Sequence, residues 1–450
     1  MNTSQPDEKK KGGAGSAQPH AKSAASEPLS RSSRQVIMSV VAFAFMTVSG
    51  AALALGRLPV GPAAGDMELS PFYRVTKLLP DAPGVLLREE AMPDQPELDA
   101  ASESRRILYT STDVRWQSGQ IPVSGTLYLP VGKTPAKGWP LMAWAHGTLG
   151  IADSCAPSWT GFRPRDATYI NRWLKAGFAV VVTDYQGLGG PGPHPYLNWQ
   201  VEGRSVLDSV RAVIAARPAQ ISNRIFISGQ SQGSGAAVGA ARLAREYAPE
   251  LKVLGAAATG LVSTFPSGPI SVPLRNSSNM FLSFAAGGLR DDGPPIDDIV
   301  SDKGRQLLDT ARIACTGEVM KLARKLRIGD LSEALSISME RLEELRILVT
   351  DMPMGNIGVP LFVGTGLADA TITPVRQYAA VAALCASGNS VVWNRYEGHG
   401  HDGALHGSFD DSIAFARTIL VKKKVSSNCS TIAPPGPPGA RQEGLLFNDD

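Results

Sequence analysis

Short apolar runs and segments with helical periodicity take turns along most of this chain. "PLMAWAHG" (Pro140–Gly147) is an apolar run ending in glycine, and "TYINRWLKAG" (Thr168–Gly177) is a helix stopped by Gly177. "FAVVVTDY" (Phe178–Tyr185) is a near-continuous β-branched run of the kind buried on both faces. The next segment, Asn198–Pro218, places Val206, Leu207, Val210, Val213 and Ile214 on one helical face. Strand, helix and strand then follow as "RIFISGQS", "AAVGAARLAREYA" and "VLGAAATG". After a long interval come "PLFVGTG", the helix "TPVRQYAAVAALCASG" with Thr373 as N-cap and Pro374 in its first turn, the strand "SVVWNRYEG" and a final helix from Ser408. Strict alternation of this kind predicts an α/β fold with a mostly parallel sheet covered by helices on both faces. Ahead of it, "RILYTSTDVRW" and "IPVSGTLYLP" read as paired strands around a Ser-Gly turn.

The remaining segments break this rhythm. Residues 1–34 are polar and small, and predict a disordered leader. Residues 36–55 carry no charge and follow Arg31 and Arg34; twenty helical residues rise about 30 Å, the thickness of a bilayer core. Residues 35–56 therefore read as a signal peptide or a membrane anchor, and "ALA" at Ala52–Ala54 would suit cleavage, so the sequence allows both fates. Residues 57–262 form the first part of the core, opening with a proline-broken stretch to Ala100 that reads as extended, lid-like or linking. Residues 263–358 are too long for a loop, and "DKGRQLLDTARIA" and "DLSEALSISMERLEELRILV" are amphipathic, which predicts an inserted helical cap. Residues 359–430 complete the core, and the low-complexity residues 431–450 read as a flexible tail.

Composition changes the picture little. An apolar fraction of 43% supports a substantial core, and a net charge of +3 gives no reason to expect nucleic acid as a partner. Four cysteines, Cys155, Cys315, Cys385 and Cys429, agree with an extracytoplasmic location and two disulfides, and no Cys/His spacing proposes a metal site.

The candidate chemistry starts at Gly229-Gln230-Ser231-Gln232-Gly233, which fits Gly-x-Ser-x-Gly directly after a strand and before a helix of small residues. A nucleophile elbow demands that order, because the turn leaves no room for bulk two residues either side of the serine. The backbone N–H of Gln232, at a helix N-terminus, then suits an oxyanion. A base must come from six histidines, and "YEGHGHDGALH" beyond the last strand favours His401, with His399 as the alternative. His146, at the end of an early strand, reads as a brace for its loop. Asp369, just past "PLFVGTG", is the candidate acid; Asp351 precedes that strand and Asp184 comes too early in chain order. Gly147 or Thr148 in "AHGTLG" is the candidate second oxyanion donor. "GLGGPG" (Gly187–Gly192) satisfies G-x-G-x-x-G, but Pro191, Pro193 and Pro195 prevent the helix that dinucleotide binding needs.

With these residues placed, "WPLMAWAHGTLGIADSCAPS", "FAVVVTDYQGLGGPGPHPYL", "SGQSQGSGAA" and "VPLFVGTGLADATITP" with "LCASG" resemble the secretory lipase family of α/β-hydrolases. The resemblance implies the α/β-hydrolase fold, a Ser231–Asp369–His401 triad and hydrolysis of lipid or other carboxylic esters without metal or cofactor. It also implies that Cys155 pairs with Cys315 and Cys385 with Cys429. The partner expected is a small-molecule or lipid ester, with a lipid interface or, through residues 36–55, a membrane. Transfer of the acyl group to another alcohol, a non-catalytic binding role and amide cleavage are the competing readings. Leu307, Leu308, Leu335, Met339, Leu342 and Leu345 would either line an acyl tunnel, lie on lipid, or simply pack the cap.

Overall fold

The computed structural model describes residues 57–93, 95–262, 274–289, 295–345, 353 and 355–448. The leader and the apolar segment within residues 1–56, and Asp351, lie outside them. Among the described residues no helix is long and apolar enough to cross a membrane.

Nine strands form one sheet: β1 (Leu86–Ala91), β2 (Ala101–Asp113), β3 (Gly119–Pro130), β4 (Trp139–Ala145), β5 (Ala179–Thr183), β6 (Ile221–Gln230), β7 (Val253–Thr259), β8 (Leu361–Gly366) and β9 (Val391–Tyr396). Their order is β1-β2-β3-β5-β4-β6-β7-β8-β9. The first three are antiparallel to their neighbours, and β5, β4 and β6 to β9 run parallel. This is the α/β-hydrolase fold expected above. β1 was not anticipated: it arises inside the proline-rich stretch, whose Phe72 and Tyr73 are buried against Leu108.

Side-chain alternation decides the two layers. Leu141, Ala143, Val181, Ile225 and Ile227 face one core, shared with helices Trp199–Ala216, Gln232–Tyr247 and Pro374–Ala386. Met142, Trp144, Val180, Val182 and Phe226 face the other, shared with Pro164–Lys175 and Phe409–Leu420. Both faces of the central strands are apolar because both are covered.

The cap has its own core, built from helices Leu274–Gly287, Asp302–Ala311 and Thr316–Lys325 around Phe281, Phe284, Leu307 and Leu308. Over the amphipathic segment "DLSEALSISMERLEELRILV", Asp330 caps a single 3₁₀ turn (Leu331–Ala334), Leu335 goes extended to bridge Val300, and among the described residues beyond it Met339–Glu344 is helical. Of the residues weighed for an acyl tunnel, Leu307, Leu308, Leu335 and Leu342 are buried in the cap core, and Met339 and Leu345 pack against it. Cys155–Cys315 fastens the cap to the core, and Cys385–Cys429 closes a loop of 44 residues near the last strand.

Residues 431–448, read from composition as a flexible tail, lie along the β8 and β9 loops, mostly exposed but anchored at points. Gly439 N–H donates to Leu367 O (2.8 Å) and Gln442 N–H to Gly398 O (2.9 Å), and the Asn448 side chain is buried. The signal missed is a few backbone and amide hydrogen bonds, which composition does not register.

Candidate active site

Sheet register sets the site. Gln230 stands opposite Thr259, and Thr259 opposite Gly364, so β6, β7 and β8 end level with one another. After β4 the chain adds β5 on one side and β6 on the other, which opens a crevice at the carboxyl ends of β4 and β6. Ser231 follows β6 and Thr148 follows β4, so both rise at that switch point.

Ser231 has φ 57° and ψ −123°, a strained conformation for a side chain with a Cβ, worth about 1–3 kcal/mol. The surroundings hold it there. Ser231 N–H donates to Thr259 O (3.0 Å), and Ser231 O accepts from the N–H and hydroxyl of Ser234 (2.8 and 2.6 Å). The flanking glycines are obligatory in this packing: a Cβ on Gly229 would collide with Gly233 O, and one on Gly233 with Ala145 O. Helix Gln232–Tyr247 begins immediately, leaving the Gln232 N–H in its first turn. The Gln232 side chain turns inward and donates to buried Glu202 (2.7 Å), with His194 Nε2 also 2.7 Å away. Burial raises Glu202 to about 8 and lowers His194 to about 3, so both favour their neutral forms beneath the elbow.

His401 Nδ1 lies 2.8 Å from Asp369 Oδ2. Asp369 is fully buried and also accepts from the N–H groups of Thr371 and Ile372 (2.8 and 2.9 Å) and from Gln377 Nε2 (2.9 Å). The imidazole lies over the end of β7, where a Cβ on Gly260 would stand 2.6 Å from His401 Cε1. Gly260 has φ +54°, so glycine meets both demands at that point. Ser231, His401 and Thr148 line one cavity of about 190 Å³. Gly147 sits beside it, against Gln230.

The other candidates go elsewhere. His399 Nδ1 is 2.9 Å from Glu397 O, and its ring packs on Gly407 and Tyr396. His146 is buried against Tyr185, with Nδ1 2.8 Å from Gly147 O, and burial lowers it to about 4. Asp184 is buried and accepts from Ser124 Oγ (2.6 Å) and from Ser158. In the rejected "GLGGPG" loop, a Cβ on Gly187 would collide with Pro193 and His194, and the next helix begins only at Trp199. Among the described residues no cluster of His, Cys, Asp or Glu is placed to hold a metal ion.

Four residues near the site escaped the sequence reading. Gln377, one turn into helix Pro374–Ala386, fixes Asp369. Arg165 forks between Asp166 and Asp402, tying the helix Pro164–Lys175 to the residue after His401. Burial pushes Asp402 up, but Arg165, His401 and Arg163 together outweigh it and hold the carboxyl below its usual range. Asn448 reaches the same loop from the far end of the chain: its Oδ1 accepts from Gly400 N–H (2.6 Å) and its Nδ2 donates to Gly398 O (2.9 Å). Arg163 lines the cavity itself. The first three are separated in sequence from what they support, so no local spacing reveals them.

Comparison with known proteins agrees with this architecture. Part of the chain is 29% identical over 201 residues to the secreted triacylglycerol lipase LIP4 of Malassezia globosa, covering 42% of each protein. It is 24% identical over 320 residues to the secreted triacylglycerol lipase LIP2 of Malassezia furfur, covering 66% of this chain and 65% of that one. A Mycobacterium tuberculosis relative, 26% identical over 223 residues and matched over 45% of this chain and 48% of its own length, is named a probable inactive lipase. The chain thus spans 42–65% of the length of these curated relatives. Among solved structures, Candida antarctica lipase A in its closed state superposes with a TM-score of 0.62 at 20% identity, over 81% of this chain and 89% of that one. The rice cell wall degrading esterase LipA of Xanthomonas oryzae gives 0.59 at 16% identity, over 76% and 100%. The secretory lipase profile matches residues 160–408, more than half of the chain and including Ser231, Asp369 and His401, and on that match the chain belongs to the secretory lipase family.

Proposed function

We propose that this protein is a serine hydrolase that cleaves lipid or other carboxylic esters through an acyl-enzyme on Ser231. The observation that carries the reading is the 2.8 Å His401–Asp369 pair, with His401 and Ser231 lining the same cavity. Asp369 holds the imidazole with Nδ1 protonated, which leaves Nε2 to take the Ser231 proton as the hydroxyl oxygen attacks the ester carbonyl. The N–H of Gln232 and that of Thr148 or Gly147 stabilise the oxyanion. His401 then protonates the leaving alcohol, and a water activated by the same imidazole releases the acid. No metal or organic cofactor enters these steps. The two disulfides and the relatives named as secreted support an extracytoplasmic location.

The test is covalent labelling by a fluorophosphonate together with hydrolysis of p-nitrophenyl esters of rising acyl length. Labelling and turnover in wild type, and loss of both in Ser231→Ala, are expected. A relative named as probably inactive keeps a non-catalytic role as the rival reading. Wild-type protein that is folded, unlabelled and inactive across the panel would establish that rival instead.

A further inference from the structure

The turn His194–Leu197, which follows the rejected "GLGGPG" loop, touches the residues of both proposed oxyanion donors. His194 Nδ1 donates to Gln186 O (2.8 Å), which leaves Nε2 to accept from Gln232 Nε2 (2.7 Å). The second N–H of that amide goes to Glu202 Oε1 (2.7 Å), and the same oxygen accepts from Leu197 N–H (3.0 Å). Between these two anchors stands Tyr196, whose hydroxyl is hydrogen-bonded to Thr148 Oγ1 at 2.9 Å. One short turn therefore joins the residue that opens the elbow helix to the loop that follows β4.

The surroundings hold Tyr196 in place from both ends. Leu197 has φ 62°, in the left-handed region that residues with a Cβ avoid, and the Glu202 side chain fixes its N–H. The Tyr196 ring is buried in the cap core with Ile151, Met280 and Phe281. Its hydroxyl reaches out of that core to Thr148, which lines the cavity with Ser231 and His401. The neighbours of Thr148 are tied down by their carbonyls, Gly147 O by His146 Nδ1 and Leu149 O by Thr316 N–H (both 2.8 Å). Tyr196 is the contact that fixes Thr148 through its own side chain. An oxyanion donor is effective only at about 2.7–3.1 Å from where the charge develops, so whatever sets the donor's position sets its strength.

We propose that Tyr196 is a positioning residue of the oxyanion hole. Its hydroxyl, acting through Thr148 Oγ1, aims the Thr148 N–H, and the His194–Leu197 turn keeps that donor in register with the Gln232 N–H. The proposal rests on the ester-hydrolase reading above. Such a residue acts when negative charge appears on the carbonyl oxygen, so it lowers the barrier without tightening the ground-state complex.

Two variants of the full-length chain test this. Tyr196→Phe removes the hydroxyl and keeps the ring; Thr148→Val removes the other half of the bond and keeps both the shape and the backbone N–H. Three quantities are read: kcat/KM for 4-nitrophenyl hexanoate, per site titrated with fluorophosphonate, and Ki for 1,1,1-trifluoroheptan-2-one and for heptan-2-one. On the fluorinated ketone Ser231 Oγ bonds to the carbonyl carbon, the hydroxyl proton passes to His401, and the C=O π pair becomes an alkoxide. Heptan-2-one binds as the intact ketone. In Tyr196→Phe, kcat/KM should fall and Ki for the fluorinated ketone should rise by the same factor, at least about tenfold, with Ki for heptan-2-one within about threefold. Thr148→Val should match it, and the double variant should be no worse than either, because both remove one bond. If Tyr196→Phe does not fold, Thr148→Val carries the same readout. Ki for the fluorinated ketone that moves less than about threefold overturns the proposal, and so do equal weakening of both ketones and losses that multiply in the double variant. A lower Tm with both Ki values unchanged marks a purely structural role and also overturns it. Wild-type protein neither labelled nor active removes the hydrolase reading and this one with it, whereas active wild type with unperturbed variants removes this one alone.

Discussion

Asn448→Ala should disable the proposed base from a position remote in sequence. In the native arrangement Asn448 Oδ1 accepts the Gly400 N–H at 2.6 Å, and its Nδ2 donates to Gly398 O at 2.9 Å and to Gln442 O at 2.8 Å. Both sides of His401 are held, because a Cβ on Gly403 would also collide with Asn448 Oδ1. Alanine removes all three hydrogen bonds, each worth about 1 kcal/mol net, and strands a buried N–H that costs about 1–3 kcal/mol if no water replaces the amide. A local loss of about 3 kcal/mol is spent on the loop rather than on the sheet, since β8 and β9 keep their ladder. At 1.4 kcal/mol per factor of ten, that is up to about a hundredfold in the population of loops with His401 seated on Asp369. Steady-state kinetics on a short p-nitrophenyl ester should show kcat down about 10- to 100-fold with KM little changed. Labelling of Ser231 by fluorophosphonate should slow in parallel. Removal of residues 431–450, which keeps Cys429, should do the same. Calorimetry separates this from global unfolding. Wild-type kcat in both variants would refute the reasoning and leave the tail a passive covering.

Three further outcomes follow from the geometry. Gly233→Ala should cost more than about 3 kcal/mol, because its Cβ meets the Ala145 carbonyl, whereas Gly235→Ala, with open space around its Cβ, should stabilise the helix by up to about 1 kcal/mol; urea unfolding compares them. Glu202 is raised by burial from 4.5 to about 8, so its contribution is fully present below pH 4.5 and is lost as pH rises through about 8. Glu202→Gln should therefore flatten the fall in Tm between pH 5 and pH 9; an unchanged slope would show that Glu202 is ionised in the folded state. The bond between Cys155 and Cys315 spans 160 residues, and replacing both by serine should cost about 3–5 kcal/mol of stability, read as a fall in Tm by scanning calorimetry.

The order of strands and helices from β4 to β9 was legible because each element writes its own period: β-branched runs for strands buried on both faces, three-and-four spacing for helices. The elbow was legible for a similar reason, since Gly229, Ser231 and Gly233 answer to contacts within a few residues and one neighbouring strand. Chain order relative to the last two strands singled out Asp369 and His401, which the structure brings within 2.8 Å of each other. The cap was visible as an insertion, but its helix boundaries were not, because Leu335 leaves helical geometry to pair with Val300, a contact set by another segment.

What the sequence by itself determined is the fold class and a short set of candidates for its crest, Ser231, Asp369 and His401 with His399 as the alternative. Only the tertiary structure shows which of the two rings lies against Asp369: it is that of His401. The choice depends on which ring the loop from Gly398 to Gly403 lays over Gly260, and Arg165 and Asn448 hold that loop from distances of 237 and 48 residues along the chain. Local pattern encodes what a segment prefers to become, whereas the partners of a polar side chain are set by segments that share no spacing with it.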